Sequence, residues 1–132
     1  MSYLVKNNKL NDHASIVVIS SISGFKMAFN FNYSYSISKA GLKAMVETLA
    51  CELGNKFIRV NSIAPGMVNT PLIKKLNQDD YFTRIDKSKY ILGKRYARTK
   101  EITDVINFLL SNNSSFITGQ TIIVDGGFTL TK

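Results

Sequence analysis

A tyrosine and a lysine lie four positions apart in the segment YSISKAG, which spans residues 35–41. In a helix, residues four apart share one face and lie about one turn from each other. An ammonium that close to a phenol favours the phenolate and lowers the pKa of the tyrosine. Tyr35 and Lys39 are therefore candidates for an acid/base pair that works near neutral pH. Because this spacing is common by chance, the elements around it must decide whether it means chemistry.

Those elements read as a strand, a helix and a second strand. The β-branched run Ser15–Ser20 predicts a strand buried on both faces, as in a parallel sheet. Apolar residues then recur at helical spacing from about Tyr33 to Leu53, at Ile37, Ala40, Ala44, Leu49 and Leu53, and Met45 and Val46 widen this stripe. Gly54-Asn55 supplies the helix stop, Phe57–Ala64 the second strand, and Pro65-Gly66 its end.

The second half of the chain predicts a loop, a helix and a third strand. Residues 71–98 are irregular, polar and basic, which is typical of a functional or mobile segment. Thr99 is placed to cap a helix whose apolar residues are Ile102, Val105, Ile106 and Leu109. Gln120–Asp125 forms the last strand, closed by Gly126-Gly127. The order β-α-β-loop-α-β is half of a doubly wound parallel sheet, within one domain over residues 1–132.

The polar candidates converge on one rim of that sheet. Ligands of such sheets bind beyond the carboxyl ends of the strands. Ser21 follows the first strand and Pro65-Gly66 follows the second. Tyr35 and Lys39 lie in the opening turns of the helix that starts at the same edge. This convergence favours a functional site over five unrelated residues.

Composition excludes several other classes. The net charge of +8 is read as a solvated basic surface, since no zinc-finger spacing or aromatic RNA-binding pattern accompanies it. The single cysteine, Cys51, allows no internal disulfide and is expected to be buried or half-buried; His13 has no partner for a metal. No apolar run approaches the length of a membrane span, and the N-terminal residues show no signal-peptide pattern, so nothing argues for export. We therefore expect a cytoplasmic protein without metal, nucleic acid or membrane partners.

Four motifs in order give the chain a family resemblance. They are IVVISSISG at 16–24, YSISKAG at 35–41, RVNSIAPGMVNT at 59–70 and FITGQTIIVDGG at 116–127. In these the chain resembles the carboxyl-terminal half of the short-chain dehydrogenase/reductase family. The nearest members are the classical 3-oxoacyl-carrier-protein reductases. The implied fold is the carboxyl-terminal half of a Rossmann-type sheet, and the implied activity is carbonyl reduction or alcohol oxidation with NAD or NADP.

The resemblance also assigns roles to residues of this chain. Tyr35 matches the catalytic acid/base, and Lys39 the lysine that assists it and holds the nicotinamide ribose. Ser21 matches the serine that hydrogen-bonds the substrate carbonyl, with Ser20 and Ser23 ranked below it. For the cofactor turn, the matches are Pro65 and Gly66 at the close backbone approach, Val68 through its backbone and Thr70 through its hydroxyl. The structural alternatives are a helix-surface pair at Tyr35 and Lys39, turn-forming serines, and a plain strand stop at Pro65-Gly66.

One departure from the family is large. None of the eight glycines forms the glycine-rich dinucleotide fingerprint, and the family's N-N-A-G stretch is absent. Residues 1–9 resemble the tail of the helix that carries the family's catalytic asparagine. We therefore expect the amino-terminal cofactor half to be missing, and NAD or NADP binding by this chain alone to be weak. Two functions stay open: an oxidoreductase, or a non-enzymatic remnant or oligomerisation module that keeps the fold.

The resemblance and the charge together suggest partners. Residues 71–98 match the family's substrate-loop region, and its cations include Lys74, Lys75, Lys94 and Arg95. The carbonyl or alcohol substrate is therefore expected to be a small molecule that is anionic or carrier-linked, with a solvated mobile loop as the alternative. The resemblance also implies a homo-oligomer formed through the helix at 33–53 and the last strand.

Overall fold

The computed structural model describes residues 14–25, 33–71, 73 and 86–131. Its helices and strands are β1 Ser15–Ile19, α1 Tyr33–Leu53, β2 Arg59–Pro65, α2 Thr99–Leu110 and β3 Thr121–Val124. All strand pairs are parallel, in the order β1-β2-β3, which confirms the predicted α/β half-sheet. The predictions for residues 1–9, His13, Lys74 and Lys75 lie outside the described residues.

The central strand β2 carries the core, because it has a strand on each side and a helix on each face. Val60, Ile63 and Ala64 are each completely buried. Val60 packs beneath α1, in a cluster with Val46, Ala50, Leu53 and Ile58. Ile63 faces the other way and packs beneath α2, against Ile102 and Leu109. The result is a three-layer arrangement with one apolar cluster on each side of the sheet.

The expectation that the first strand is buried on both faces is wrong. Residues 15–18 are only half-buried, and Ile19 is 46% exposed. The reason is position, since β1 has β2 as its single neighbour among the described strands. Ala14 accepts from Arg59 N–H and Ser20 donates to Ile63, so alternate residues face β2. The backbone groups of residues 15, 17 and 19 therefore point to the other side of β1.

The long helix has the predicted bounds, but only the C-terminal part of its predicted apolar stripe is buried. Its buried residues are Val46, Ala50 and Leu53, whereas the predicted core positions Ile37, Ala40 and Ala44 are exposed. Small and apolar residues occur on both sides of α1, so periodicity alone did not distinguish the inner side. Cys51 is also exposed, which corrects the prediction of a buried or half-buried thiol. It follows the buried Ala50 by one position, and one position turns a side chain by about 100° in a helix with 3.6 residues per turn.

The boundaries of β2 and α2 also differ from the predictions. After α1, the tight turn Gly54–Lys56 ends at Phe57, whose φ of 57° is left-handed, so β2 begins only at Arg59. The residue before α2 is Arg98 rather than Thr99, which is the first residue of the helix. The carboxylate of Glu101 reaches back and accepts a 2.7 Å hydrogen bond from the Arg98 N–H. That bond satisfies a free donor at the helix start in place of a threonine hydroxyl.

Arg59 fastens the end of α2 to the sheet. Its guanidinium donates at 2.9 Å to the carbonyl of Leu109, to Ser114 Oγ and to the carbonyl of Ser111. The last carbonyls of a helix lack partners within the helix, and a cation there also complements the helix dipole. This partly buried arginine therefore fixes where α2 stops and where the following turn runs.

Candidate active site

The predicted acid/base pair lies at the rim where β1 ends. Lys39 Nζ is 5.6 Å from the centroid of the Tyr35 ring and donates a 3.0 Å hydrogen bond to the carbonyl of Ile19. The lysine side of the pair is half-buried, and Tyr35 is 41% exposed. The structure thus brings the two residues together and leaves the phenol reachable by a small molecule.

The serines after β1 have different tasks. Ser20 donates its hydroxyl proton to the backbone carbonyl of Lys39 at 2.9 Å, which ties the strand end to the helix. Ser21 instead accepts at 3.2 Å from the N–H of Ser23 and so begins a short 3-10 turn. A hydroxyl that accepts one bond still has its own proton to donate. This difference favours Ser21 over Ser20 as the donor to a substrate oxygen.

The turn after β2 is held from several sides. Gly66 donates to the carbonyl of Val124 at 3.0 Å, and the Met67 carbonyl accepts from Ala97 at 3.0 Å. The N–H of Asn69 donates to the carbonyl of Ala97 at 2.8 Å. A Cβ on Gly66 would lie 3.1 Å from the backbone of Asp125, so only glycine fits without displacing a neighbour.

The same turn offers two donors, the Val68 N–H and the Thr70 hydroxyl, that have no acceptor among the described residues. Within the described part of the chain, the structure gives the Val68 N–H no hydrogen-bond partner, while the Val68 carbonyl accepts from Thr70 at 2.8 Å. The Thr70 hydroxyl accepts from the N–H of Ile73 at 3.3 Å and keeps its own proton. A carboxamide oxygen is a suitable acceptor for the free Val68 N–H. The turn therefore presents a backbone N–H and a hydroxyl proton to which a ligand could supply acceptor atoms.

One apolar cluster connects the serine segment after β1 with the turn after β2. Ile22, which follows Ser21, packs with Met67, Tyr90 and Phe128, and each of these is at most 8% exposed. Ser21 and the turn after β2 are therefore both supported by the same apolar cluster. The sequence reasoning missed Tyr90, because it lies in an irregular segment where no periodicity marks a buried aromatic residue.

Asp125 and the two glycines after it form a tight turn that follows β3 and borders this apolar cluster. The Asp125 carboxylate accepts from the N–H of Gly127 at 2.9 Å and of Thr129 at 2.7 Å. Gly126 and Gly127 have φ of 60° and 84°, and a Cβ on Gly127 would meet the Ile91 side chain at 2.9 Å. These glycines are structural, as the sequence suggested.

Arg95 is not placed to bind a substrate anion. Its guanidinium holds both carboxylate oxygens of Glu101, at 2.8 and 2.7 Å. The hydrogen bonds from Arg95 and Arg98 hold the pKa of Glu101 well below its usual range. Of the predicted anion-binding cations that the structure describes, Lys94 remains a candidate, because its side chain is exposed. Its backbone φ of 50° is left-handed.

Two further absences concern the described residues alone. In that part of the chain, no three histidine, cysteine, aspartate or glutamate side chains come together as a metal site. Nor does any helix there have the length and apolar character that crossing a membrane requires.

Comparisons with known proteins identify the family of the chain. A family model described as enoyl-(acyl carrier protein) reductase matches residues 1–129. A 3-oxoacyl-(acyl-carrier-protein) reductase of Thermotoga maritima is 38% identical over 97% of this chain and 49% of its own length. A tropinone reductase homolog of Arabidopsis thaliana is 37% identical over 92% of this chain and 39% of its own length.

Solved structures give the same assignment. A mutant 4-hydroxyisoleucine dehydrogenase complexed with NADH and succinate superposes with a TM-score of 0.84 at 30% identity, over 99% of this chain and 52% of that one. A short chain dehydrogenase family protein from Francisella tularensis gives 0.80 at 35% identity, over 98% and 57%.

The chain belongs to the short-chain dehydrogenase/reductase family of oxidoreductases. Within that family it is similar to the 3-oxoacyl-carrier-protein reductases. It spans about half the length of the curated relatives it matches.

Proposed function

We propose that this chain, as one partial domain, supplies the proton-transfer and nicotinamide-facing side of an NAD(P)-dependent enzyme that interconverts a carbonyl and an alcohol. The observation that carries the proposal is the position of the Lys39 ammonium, 5.6 Å from the Tyr35 ring at the carboxyl end of β1. The activity of a full-length relative includes residues this chain does not match. We therefore assign roles only to residues that this chain itself contains.

Tyr35 is the proposed acid/base. During reduction, the bound cofactor supplies the hydride to the carbonyl carbon. The phenol of Tyr35 gives its proton to the carbonyl oxygen, so that an alcohol forms and the phenolate must later regain a proton. The ammonium of Lys39 lies over the Tyr35 ring, and its positive charge favours the negative charge that develops on the phenol oxygen.

Ser21 is the proposed donor to the substrate oxygen. The residue is 8% exposed, and its hydroxyl proton has no protein acceptor among the described residues. A donor aimed at an oxygen that gains negative charge stabilises the transition state more than the ground state. Ser20 cannot take this role without giving up its bond to the Lys39 carbonyl.

The proposed cofactor contacts all lie at the nicotinamide end. Lys39 would hold the ribose, and Pro65 and Gly66 would allow the backbone to approach the ring. The free N–H of Val68 would donate to the carboxamide, and the Thr70 hydroxyl would contact the cofactor nearby. Since no glycine-rich phosphate loop occurs in this sequence, we expect the chain alone to bind NAD or NADP weakly.

Two tyrosines two residues apart allow a controlled test. Tyr35→Phe removes the proton donor, whereas Tyr33→Phe removes a hydroxyl from the same helix. Oxidation of NADH and NADPH is followed with ketones and β-keto thioesters as substrates. We expect Tyr35→Phe to lower the rate about 10²- to 10⁴-fold and Tyr33→Phe to leave it within about twofold. Equal rates for wild type and Tyr35→Phe would reject the assignment.

The alternative function is a non-enzymatic oligomerisation module, and the same samples decide between the two. Titration of isotope-labelled chain with NADH or NADPH should shift the amide resonances of residues 66–70. If the cofactors shift no resonance and no substrate is turned over, the enzymatic proposal fails for this chain and the module remains.

The substrate is proposed to be anionic or attached to an acidic carrier. Lys87, Lys89 and Lys94 are exposed on the segment that follows the proposed cofactor turn. We expect Lys94→Glu to raise the KM for a carrier-linked substrate and to leave the KM for an uncharged ketone unchanged. Lys56→Glu is the control, because Lys56 lies before β2 and therefore at the opposite edge of the sheet. An equal KM for the carrier-linked substrate in both variants would count against the idea.

A homo-oligomer through α1 and β3 is also proposed. The outward side of α1 carries exposed apolar residues, with Ile37 72% and Met45 40% exposed, and Ile123 of β3 is 43% exposed. We expect Ala44→Glu to shift the mass measured by light scattering towards a single chain. Thr103→Glu, on the exposed side of α2, should not. A monomeric wild-type chain would contradict this part of the proposal.

A further inference from the structure

Tyr90 is the largest completely buried side chain of the described residues, and it touches the proposed cofactor turn. It is 1% exposed, and its ring packs against Phe128 at 4.9 Å and Tyr96 at 5.7 Å between centroids. Its hydroxyl oxygen accepts a 3.3 Å hydrogen bond from the N–H of Met67. A Cβ built on Gly66 would lie 3.5 Å from the same ring. One side chain thus supports two consecutive residues of the turn.

The bond from Met67 matters because of where it lies in the backbone. The peptide unit between Gly66 and Met67 is fixed by the Tyr90 hydroxyl, and the next unit is fixed by Ala97, which donates to the Met67 carbonyl. A peptide unit is planar, with its C=O and N–H pointing in opposite directions. Holding the Met67 carbonyl towards Ala97 therefore directs the Val68 N–H away from Ala97, and Tyr90 fixes the unit that precedes it.

We propose that Tyr90 is a positioning residue that sets the orientation of the Gly66–Val68 backbone for the nicotinamide. The inference rests on the proposed function, since it assigns a support to the same cofactor turn. Burial raises the pKa of Tyr90 to about 12, so the hydroxyl stays neutral at physiological pH and accepts from Met67 throughout that range. A neutral Tyr90 adds no negative charge of its own to the turn, beside which the Asp125 carboxylate already lies.

The chain provides a matched pair of variants. Tyr90→Phe keeps the ring and removes the acceptor, whereas Tyr96→Phe removes a hydroxyl from the same aromatic cluster without touching the turn. NADH and NADPH are titrated into isotope-labelled wild type and both variants, and amide hydrogen exchange is measured at Met67. We expect Tyr90→Phe to weaken cofactor binding about three- to tenfold and to speed exchange at Met67. Tyr96→Phe should change the cofactor affinity and the exchange rate at Met67 by no more than about twofold, as expected of a nearly neutral substitution.

Each outcome bears on a specific statement. Wild-type binding with equal affinity in Tyr90→Phe overturns the role of Tyr90 and leaves the proposed function standing. Absence of any cofactor binding by the wild type overturns both. If Tyr90→Phe loses its fold, or if exchange at Val60 in the core accelerates as much as at Met67, the hydroxyl stabilises the whole domain and the positioning role is rejected. Slower turnover at saturating cofactor, with an unchanged KM for cofactor, would also contradict it.

Discussion

The Lys39 ammonium donates a 3.0 Å hydrogen bond to the carbonyl of Ile19. That carbonyl points to the side of β1 that faces away from β2. The backbone of Lys39 is held as well, because its own carbonyl accepts from Ser20. Both ends of this residue are thus fixed to the end of one strand. The position of the proposed acid/base pair depends on how closely α1 approaches β1.

Gly24 sets that approach. A Cβ on Gly24 would lie 2.8 Å from the nitrogen of Ala40 and from the carbonyl carbon of Lys39, which are backbone atoms that cannot turn aside. We expect Gly24→Ala to lower the free energy of unfolding by about 1–3 kcal/mol, as overpacking does. Urea denaturation measures it. In Gly41→Ala the added methyl group meets nothing within 4 Å, so this helical position should gain about 0.5–1 kcal/mol. Similar effects at both glycines would refute the argument.

Even a conservative replacement of Arg59 should lower the stability of the fold. Lysine keeps the charge but cannot donate at once to the carbonyls of Leu109 and Ser111 and to the Ser114 hydroxyl. We expect Arg59→Lys to cost about 2–3 kcal/mol of unfolding free energy, because hydrogen bonds to charged groups contribute most. Arg98→Lys, at a largely exposed side chain, should change it by no more than about 0.5 kcal/mol. Equal losses at the two arginines would show that the buried fork adds nothing.

The ion pairs of Glu101 make stability depend on acid. Its pKa is lowered in the folded chain, so its contribution is present above the ordinary carboxyl range and is lost as the pH falls through the folded value. Glu101→Gln should therefore be less stable than wild type at neutral pH, and the difference should shrink as the pH falls below about 4. Denaturation series at several pH values check this, with the exposed Glu52→Gln as control. A difference that is independent of pH would contradict the assignment.

Tyr90 should make the fold sensitive to alkali. Its pKa is raised by burial to about 12 from an ordinary value of 10.0, so the unfolded chain releases this proton first. The stability it maintains is present below pH 10.0 and is lost as the pH rises towards about 12. Tyr90→Phe should lose stability less steeply over that interval, as measured by thermal unfolding. Tyr96→Phe should change the slope less, since Tyr96 is only half-buried. Parallel curves for wild type and Tyr90→Phe would sink this prediction.

The sequence allowed the strand and helix order to be predicted because β-branched runs and turn residues act locally. It also placed Tyr35, Lys39 and Ser21 near one rim, since the carboxyl ends of parallel strands share an edge. It identified the buried side of α1 only in part: Val46 and Leu53 are buried as predicted, but Ile37 and Ala44, which look as apolar as Ala50, are exposed. That choice depends on the tertiary approach of β1 and β2.

Long-range partners explain the other misses. Arg95 looked like a free cation, and only the fold shows that Glu101 occupies its guanidinium. Phe57 takes a left-handed turn that local preference would assign to Gly54 or Asn55. Tyr90 matters through Met67, which lies 23 residues away in the chain. No spacing rule in the sequence relates such residues.

The single exposed thiol has a practical meaning. Cys51 is the only cysteine of the chain, and it lies near the end of the helix whose other end carries Lys39. A thiol-reactive spin label or fluorophore would therefore attach at one defined position, without removing any other cysteine. Distances between labels on two chains would report directly whether copies associate and whether their α1 helices meet.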